Sequence, residues 1–186
     1  MNQPVFQAFT VKDVVFLAIL SAVATCTAAV MALVSQIHIF ALAQVVTALQ
    51  FSLFPAVALM KVRKVGTMLF FALFTGTVEL FMAPVMFFSS LLAGLLLEGL
   101  VLALFRGYGR DGAVFLAAWL FIPLTLPLNL LYYVCFAGDL FEQFFGAGLQ
   151  LAAVGCVLAA VALSALGAAL GVKISRELRR AGVLKG

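Results

Sequence analysis

The chain alternates long apolar runs with short polar breaks. Six runs are long enough to form helices that cross a bilayer, at about 12–34, 39–60, 65–82, 85–105, 113–136 and 147–172. The pattern predicts an all-α polytopic membrane protein, a six-transmembrane-helix bundle occupying 1–186 as a single integral membrane domain. In the first run small residues recur at Ala18, Ala22, Thr25, Ala29 and Ala32. At ~100° per residue these share one helix face, and bulky Phe16, Ile19, Val23 and Val30 lie elsewhere on the wheel. A helix in lipid gains from close van der Waals contact, which small residues permit. The line therefore predicts a packing partner, and two are open: a neighbour in the same bundle or a separate subunit. Gly167 and Gly171 on the sixth run form a GxxxG pair, expected to pack within the bundle.

Composition agrees with the pattern. Of 186 residues 66% are apolar and 10% charged, against about 25% charged in soluble domains. No stretch remains for a soluble domain beside the spans, so function is expected in the bundle, its loops or a partner. Residues 1–10 lack the basic segment of a cleavable signal, and the first apolar run is of span length. Cys26, Cys135 and Cys156 are widely spaced within spans and read as small apolar residues. With a single histidine, no metal site is expected, and no cofactor.

Charge supplies the orientation. With the N-terminus in the cytoplasm, every Lys and Arg falls on the cytoplasmic side: Lys12, Lys61, Arg63, Lys64, Arg106, Arg110, Lys173, Arg176, Arg179, Arg180 and Lys185. The outer loops then hold His38, Asp139 and Glu142 as their titratable groups. Positive-inside bias thus predicts both termini in the cytoplasm and a multi-pass location in the bacterial inner (cell) membrane. The basic residues flank membrane spans rather than form a folded patch, so nucleic acid is not expected as a partner, whereas the lipid bilayer is.

Two carboxylates lie inside the runs. A carboxylate at span depth is costly and usually faces the bundle interior or a cavity. Counting ~1.5 Å per residue, Glu79 lies in the outer half of the third span and Glu98 in the inner half of the fourth. The fifth run carries Pro123 and Pro127 one turn apart, and each removes a helical hydrogen bond. Broken backbone at this depth is tolerated where protein or a cavity covers it. Asn129, Tyr132 and Tyr133 follow in the outer half, joined there by Gln44 and Thr47 on the second span, Gln150 on the sixth and His38 in the first outer loop. Together these residues predict an outward-opening polar pocket with aromatic walls and one acid at its floor, the usual composition of a small-ligand site. For each group a structural role as interhelical glue, kink or solvated loop residue stays open. No catalytic triad, HExxH motif or phosphate loop is present.

The six spans, the cytoplasmic ends and the Ala18-Ile-Leu-Ser-Ala22 element resemble the substrate-binding S-components of energy-coupling factor vitamin transporters, whose first helix carries an AxxxA docking motif. Val78-Glu79, the 94–99 segment ending Glu98-Gly99, and the ending 181–186 are similar to the YkoE-type branch, linked to thiamine and its hydroxymethylpyrimidine precursor. The stretch 61–66 equally resembles the Trep_Strep membrane proteins. The resemblance implies a subunit that is not itself an enzyme. It would bind a vitamin-like small molecule outside and deliver it inward with a transmembrane coupling subunit, docked at Ala18 and Ala22, and two ATPase subunits. Glu79 would act as counter-ion to a cationic or aminopyrimidine ligand, with Tyr132 or Tyr133 stacking on it. Two other classes stay open: a small intramembrane enzyme using Glu79 and Glu98, and a non-binding membrane scaffold.

Overall fold

Thr10 starts the first helix. Its side chain accepts from the Asp13 amide and the Asp13 carboxylate accepts from the Thr10 amide, a reciprocal cap on α1 (Val11–Thr27). The computed structural model describes residues 7–34, 37–145 and 148–182. Residues 35–36 and 146–147 of the expected outer loops, Lys185 and most of the 181–186 ending lie outside the described residues, as do the side chains of Ala32 and Glu142. After α1 come a short 3-10 turn (Ala28–Val30), α2 (Met31–Val34), α3 (Leu42–Ala48), α4 (Gln50–Val62), α5 (Thr67–Glu79), α6 (Pro84–Phe105), α7 (Asp111–Phe136), α8 (Gly138–Phe145) and α9 (Gln150–Arg180). Among the described residues there is no strand. The fold is all-helical, and four helices, or five if α3 and α4 count as one bent span, are long and apolar enough to cross a membrane.

The departures from the expected spans have local causes. The first α-helix ends at Thr27 rather than 34: the Thr25 and Thr27 hydroxyls donate back to the carbonyls of Ser21, Val23 and Ala24, which loosens a helix. The second run is bent by 42° between α3 and α4. There Thr47 back-bonds to Ala43, and Pro55 removes the hydrogen bond to the Phe51 carbonyl. By contrast α7 runs unbroken through Pro123 and Pro127, so the backbone break expected in the fifth run lies in the second. The third run yields a helix of only 13 residues, ~20 Å at 1.5 Å per residue. It stops because Ala83 precedes Pro84, a position that disfavours helix, and Ala83 is extended. The expected loop at 137–146 instead holds α8, whose charged residues Asp139 and Glu142 had marked it as loop.

Helix α7 sits among α4, α6 and α9, while α1 packs on α4 and α5. The tightest approach is made by the GxxxG pair, and it is internal as expected. A Cβ on Gly167 would lie 2.2 Å from the Leu49 carbonyl oxygen, and one on Gly171 would lie 2.6 Å from that of Leu53. Backbone meets backbone there, where a side chain cannot fit.

One end of the bundle gathers the basic residues. Lys64 bonds the Asp13 carboxylate and the Ala8 carbonyl, at 2.7 and 2.8 Å. Arg63 pairs with Asp111 and donates to the Gly109 carbonyl at 2.8 Å. Arg176 takes the other Asp111 oxygen at 2.7 Å, and Arg179 donates to Met60 at 2.6 Å. These bonds tie the start of α1, the α4–α5 turn, the α6–α7 loop and the end of α9 together.

Overpacking a core costs about 1–3 kcal/mol, and here the clash is with backbone. Gly167→Val is expected to lower the thermal midpoint in detergent by several degrees or abolish folding, whereas Gly155→Ala, with open space at its Cβ position, leaves it unchanged. Equal midpoints for the two variants would show that α9 does not rest on α4 through Gly167.

Candidate functional site

The turn 80–83 closes the last carbonyls of α5: Leu80 donates to Gly76, Phe81 to Val78, and both Met82 and Ala83 to Glu79. This leaves Glu79 at the end of α5, 7% exposed, with its side chain inside the bundle. The Ser90 hydroxyl of α6 donates to its Oε2 at 2.6 Å. Around Glu79 lies a narrow cleft with a cavity volume of about 30 Å³, lined by Gln44 and Thr47 of α3, Met86, Ser89 and Ser90 of α6, Phe121, Thr125 and Asn129 of α7, and Met31 and Phe51.

The hydrogen-bond accounting gives this cleft a character. The Thr47, Ser89 and Thr125 hydroxyls donate to carbonyls of their own helices, at 3.0, 2.8 and 2.8 Å. Asn129 is 4% exposed, and among the described residues its Oδ1 has no partner. No Lys or Arg is among the lining residues. The Glu79 carboxylate and the hydroxyl lone pairs are acceptors, the Gln44 and Asn129 amides carry both acceptors and donors, and no cation balances the carboxylate among the lining residues. Such a surface favours a molecule that brings N–H donors or positive charge.

A second cavity of about 60 Å³ adjoins the first, sharing Gln44 and Met86 with it. Its wall is apolar and aromatic: Ile37, Ile39, Phe40, Tyr133 and Phe144. The Phe144 ring of α8 lies 5.1 Å from Tyr133, 6.2 Å from His38 and 6.3 Å from Phe40, centre to centre.

Of the residues expected to form one pocket, the structure brings Glu79, Asn129 and Gln44 together in the inner cleft. Tyr133 lines the outer cavity, and exposed His38 borders it through Phe144. Tyr132 turns to a separate hollow on the α6–α7 flank with Leu92 and Phe136. Gln150 is exposed at the start of α9 and lines none of these cavities.

Glu98 lies elsewhere. Its Oε1 accepts from the amides of Met68 at 2.7 Å and Leu69 at 3.4 Å, the first turn of α5. The helix starts at Gly66, φ 96°, which has no side chain to cap those amides; a carboxylate from α6 does so instead and meets the positive end of the helix dipole. The buried Tyr108 phenol faces the same carboxylate; burial and that neighbouring charge hold its pKa above the ordinary tyrosine value. Glu79 is eleven residues further along α5, ~16 Å away at 1.5 Å per residue, so the two carboxylates do not share a site.

The small-residue line on α1 is not the face that the bundle buries. Leu17, Ser21, Ala24 and Ala28 point inward, while Ala22 and Ala29 are exposed and Ala18 and Thr25 half-buried. The line is offset by one residue, ~100°, from the packed face. Ser90, Met86 and Phe144 were not singled out in the sequence. Ser89-Ser90 in an otherwise apolar helix was the available signal for the first; nothing comparable marked Phe144.

Compared with protein families, curated proteins and solved structures, the chain matches none.

Loss of a cap costs about 0.5–2 kcal/mol. Glu98→Ala is therefore expected to lower the thermal midpoint, while Glu79→Gln, which can still accept from Ser90, leaves it nearly unchanged. If Glu79→Gln proved the more damaging in thermal unfolding, Glu98 would not be what holds the start of α5.

Proposed function

We propose that this chain is the substrate-binding subunit of an energy-coupling factor importer. It would sit in the bacterial inner membrane as six spans with both ends cytoplasmic and take up a vitamin-like small molecule, thiamine or hydroxymethylpyrimidine being the best candidates. The observation that carries the reading is the acceptor-lined cleft around Glu79, in the half of the bundle away from the basic end. With the basic end in the cytoplasm, that cleft lies in the outer half of the membrane, where an importer meets its solute. α1–α2, α3–α4, α5, α6, α7 and α9 supply the six crossings, α5 being the short one.

Glu79 is the counter-ion or acceptor for a cationic or aminopyrimidine head, with Asn129 beside it and Tyr133 as the aromatic wall. The face of α1 that carries half-buried Ala18 and exposed Ala22 is the docking surface for a transmembrane coupling subunit, which with two ATPases supplies the energy. An intramembrane enzyme using both carboxylates has less support, because α5 holds Glu79 and Glu98 at opposite ends.

Native mass spectrometry of the purified chain tests the ligand class directly: a co-purified mass of a vitamin or precursor supports it. A ligand at 100 times its Kd stabilises by about 2.7 kcal/mol, so thiamine or hydroxymethylpyrimidine is expected to raise the thermal midpoint. Flat melts across a vitamin panel would count against binding. Glu79→Gln is expected to weaken binding tenfold or more; unchanged affinity would remove Glu79 from the site. Ala18→Leu and Ala22→Leu are expected to abolish uptake in cells while leaving binding intact. Uptake that survives both would leave the α1 face without a docking role.

A further inference from the structure

We infer that the inner cleft and the outer cavity are two subsites of one elongated binding site, which takes a two-part ligand: a compact head bearing N–H or cationic donors and a flat apolar or aromatic second part. The inference rests on the Glu79 cleft being a ligand site, and adds how far that site extends and what fills its outer half.

Three observations carry it. The cavities adjoin across Gln44 and Met86, which line both. Both side chains are long and unbranched, so a change of rotamer opens the passage without moving backbone. The halves also differ in chemistry. The inner one offers the Glu79 carboxylate and the unpartnered Asn129 carbonyl; the outer one offers Ile39, Phe40, Tyr133 and Phe144. A purely polar molecule leaves the outer half unfilled, and a purely apolar one leaves a buried acceptor without a donor, which costs about 1–3 kcal/mol. Finally, α8 brings Phe144 over the outer cavity, where its ring meets Tyr133, His38 and Phe40. Aromatic walls of this kind stack on flat rings. Phe144 and Ile39 therefore select for the second part of the ligand, and Glu79 and Asn129 for the head.

The test compares a head-only probe with a two-ring probe on the purified full-length chain in detergent, by titration calorimetry with hydroxymethylpyrimidine and with thiamine. Phe144→Ala removes the outer wall and Ile39→Trp fills the outer cavity. Both variants are expected to lose tenfold or more in thiamine affinity while holding hydroxymethylpyrimidine within twofold of the wild type; retained head binding also shows that each variant is folded. Parallel losses for both probes, or thiamine affinity unchanged in both variants, would overturn the inference. A wild type that binds hydroxymethylpyrimidine but not thiamine would overturn it too and leave the proposed function standing. A wild type that binds neither overturns the ligand reading and this extension with it.

Discussion

A helix of 13 residues is ~20 Å long, short against a ~30 Å hydrocarbon core. Thr67 and Met68 at its start and Glu79 at its end are buried in the bundle, and helix ends carry unpaired amides and carbonyls that must find partners. That constraint on α5 organises much of the molecule. At its start, Glu98 reaches across from α6 to the Met68 and Leu69 amides. At its finish, the 80–83 turn takes up the last carbonyls. The same turn leads through Pro84 into α6, which lies alongside α5 and returns Ser90 to Glu79. The cleft is the space beyond the short helix, and Glu79 is in it because α5 ends there.

The wall opposite α5 depends on a different device. Gly167 and Gly171 let α9 approach the backbone of α4 at Leu49 and Leu53. This contact falls at the bend where α3 turns away from α4 by 42°. The bend gives α3 its own direction, and α3 carries Gln44 and Thr47 to the cleft. The glycines of one helix and the bend in another are thus parts of one arrangement: close packing on the α9 side, and polar residues aimed inward on the other.

What was legible in the sequence follows from the range of each interaction. Apolar runs and basic loops are local, and they marked the helices and the end of the bundle where Lys64, Arg63 and Arg176 find their partners. The GxxxG spacing is local as well, and it implied a close contact without naming α4. The depths of Glu79 and Glu98 followed from counting residues along two spans. Their roles did not, because each depends on a partner on a neighbouring helix. Glu98 looked like a second site acid until the Met68 amide was beside it; the absence of a capping side chain at Gly66 was the one local hint. The small-residue line of α1 left open a bundle neighbour or a separate subunit, and the bundle buries the face one residue away, since small residues mark where a helix can be approached and not by what.

The same reasoning explains why Tyr132 and Tyr133, adjacent in sequence, part company. Neighbours on a helix are ~100° apart, so when Asn129 faces the cleft, Tyr133, four residues on, stays on its side and Tyr132 turns toward the flank. The aromatic wall of the outer cavity therefore does not come from a tyrosine pair on α7. It comes from Tyr133 together with Phe144 on α8 and Phe40 before α3, three residues far apart in the chain. That wall adjoins the Glu79 cleft across Gln44 and Met86, so an aromatic surface and a buried carboxylate lie side by side although no stretch of sequence holds both.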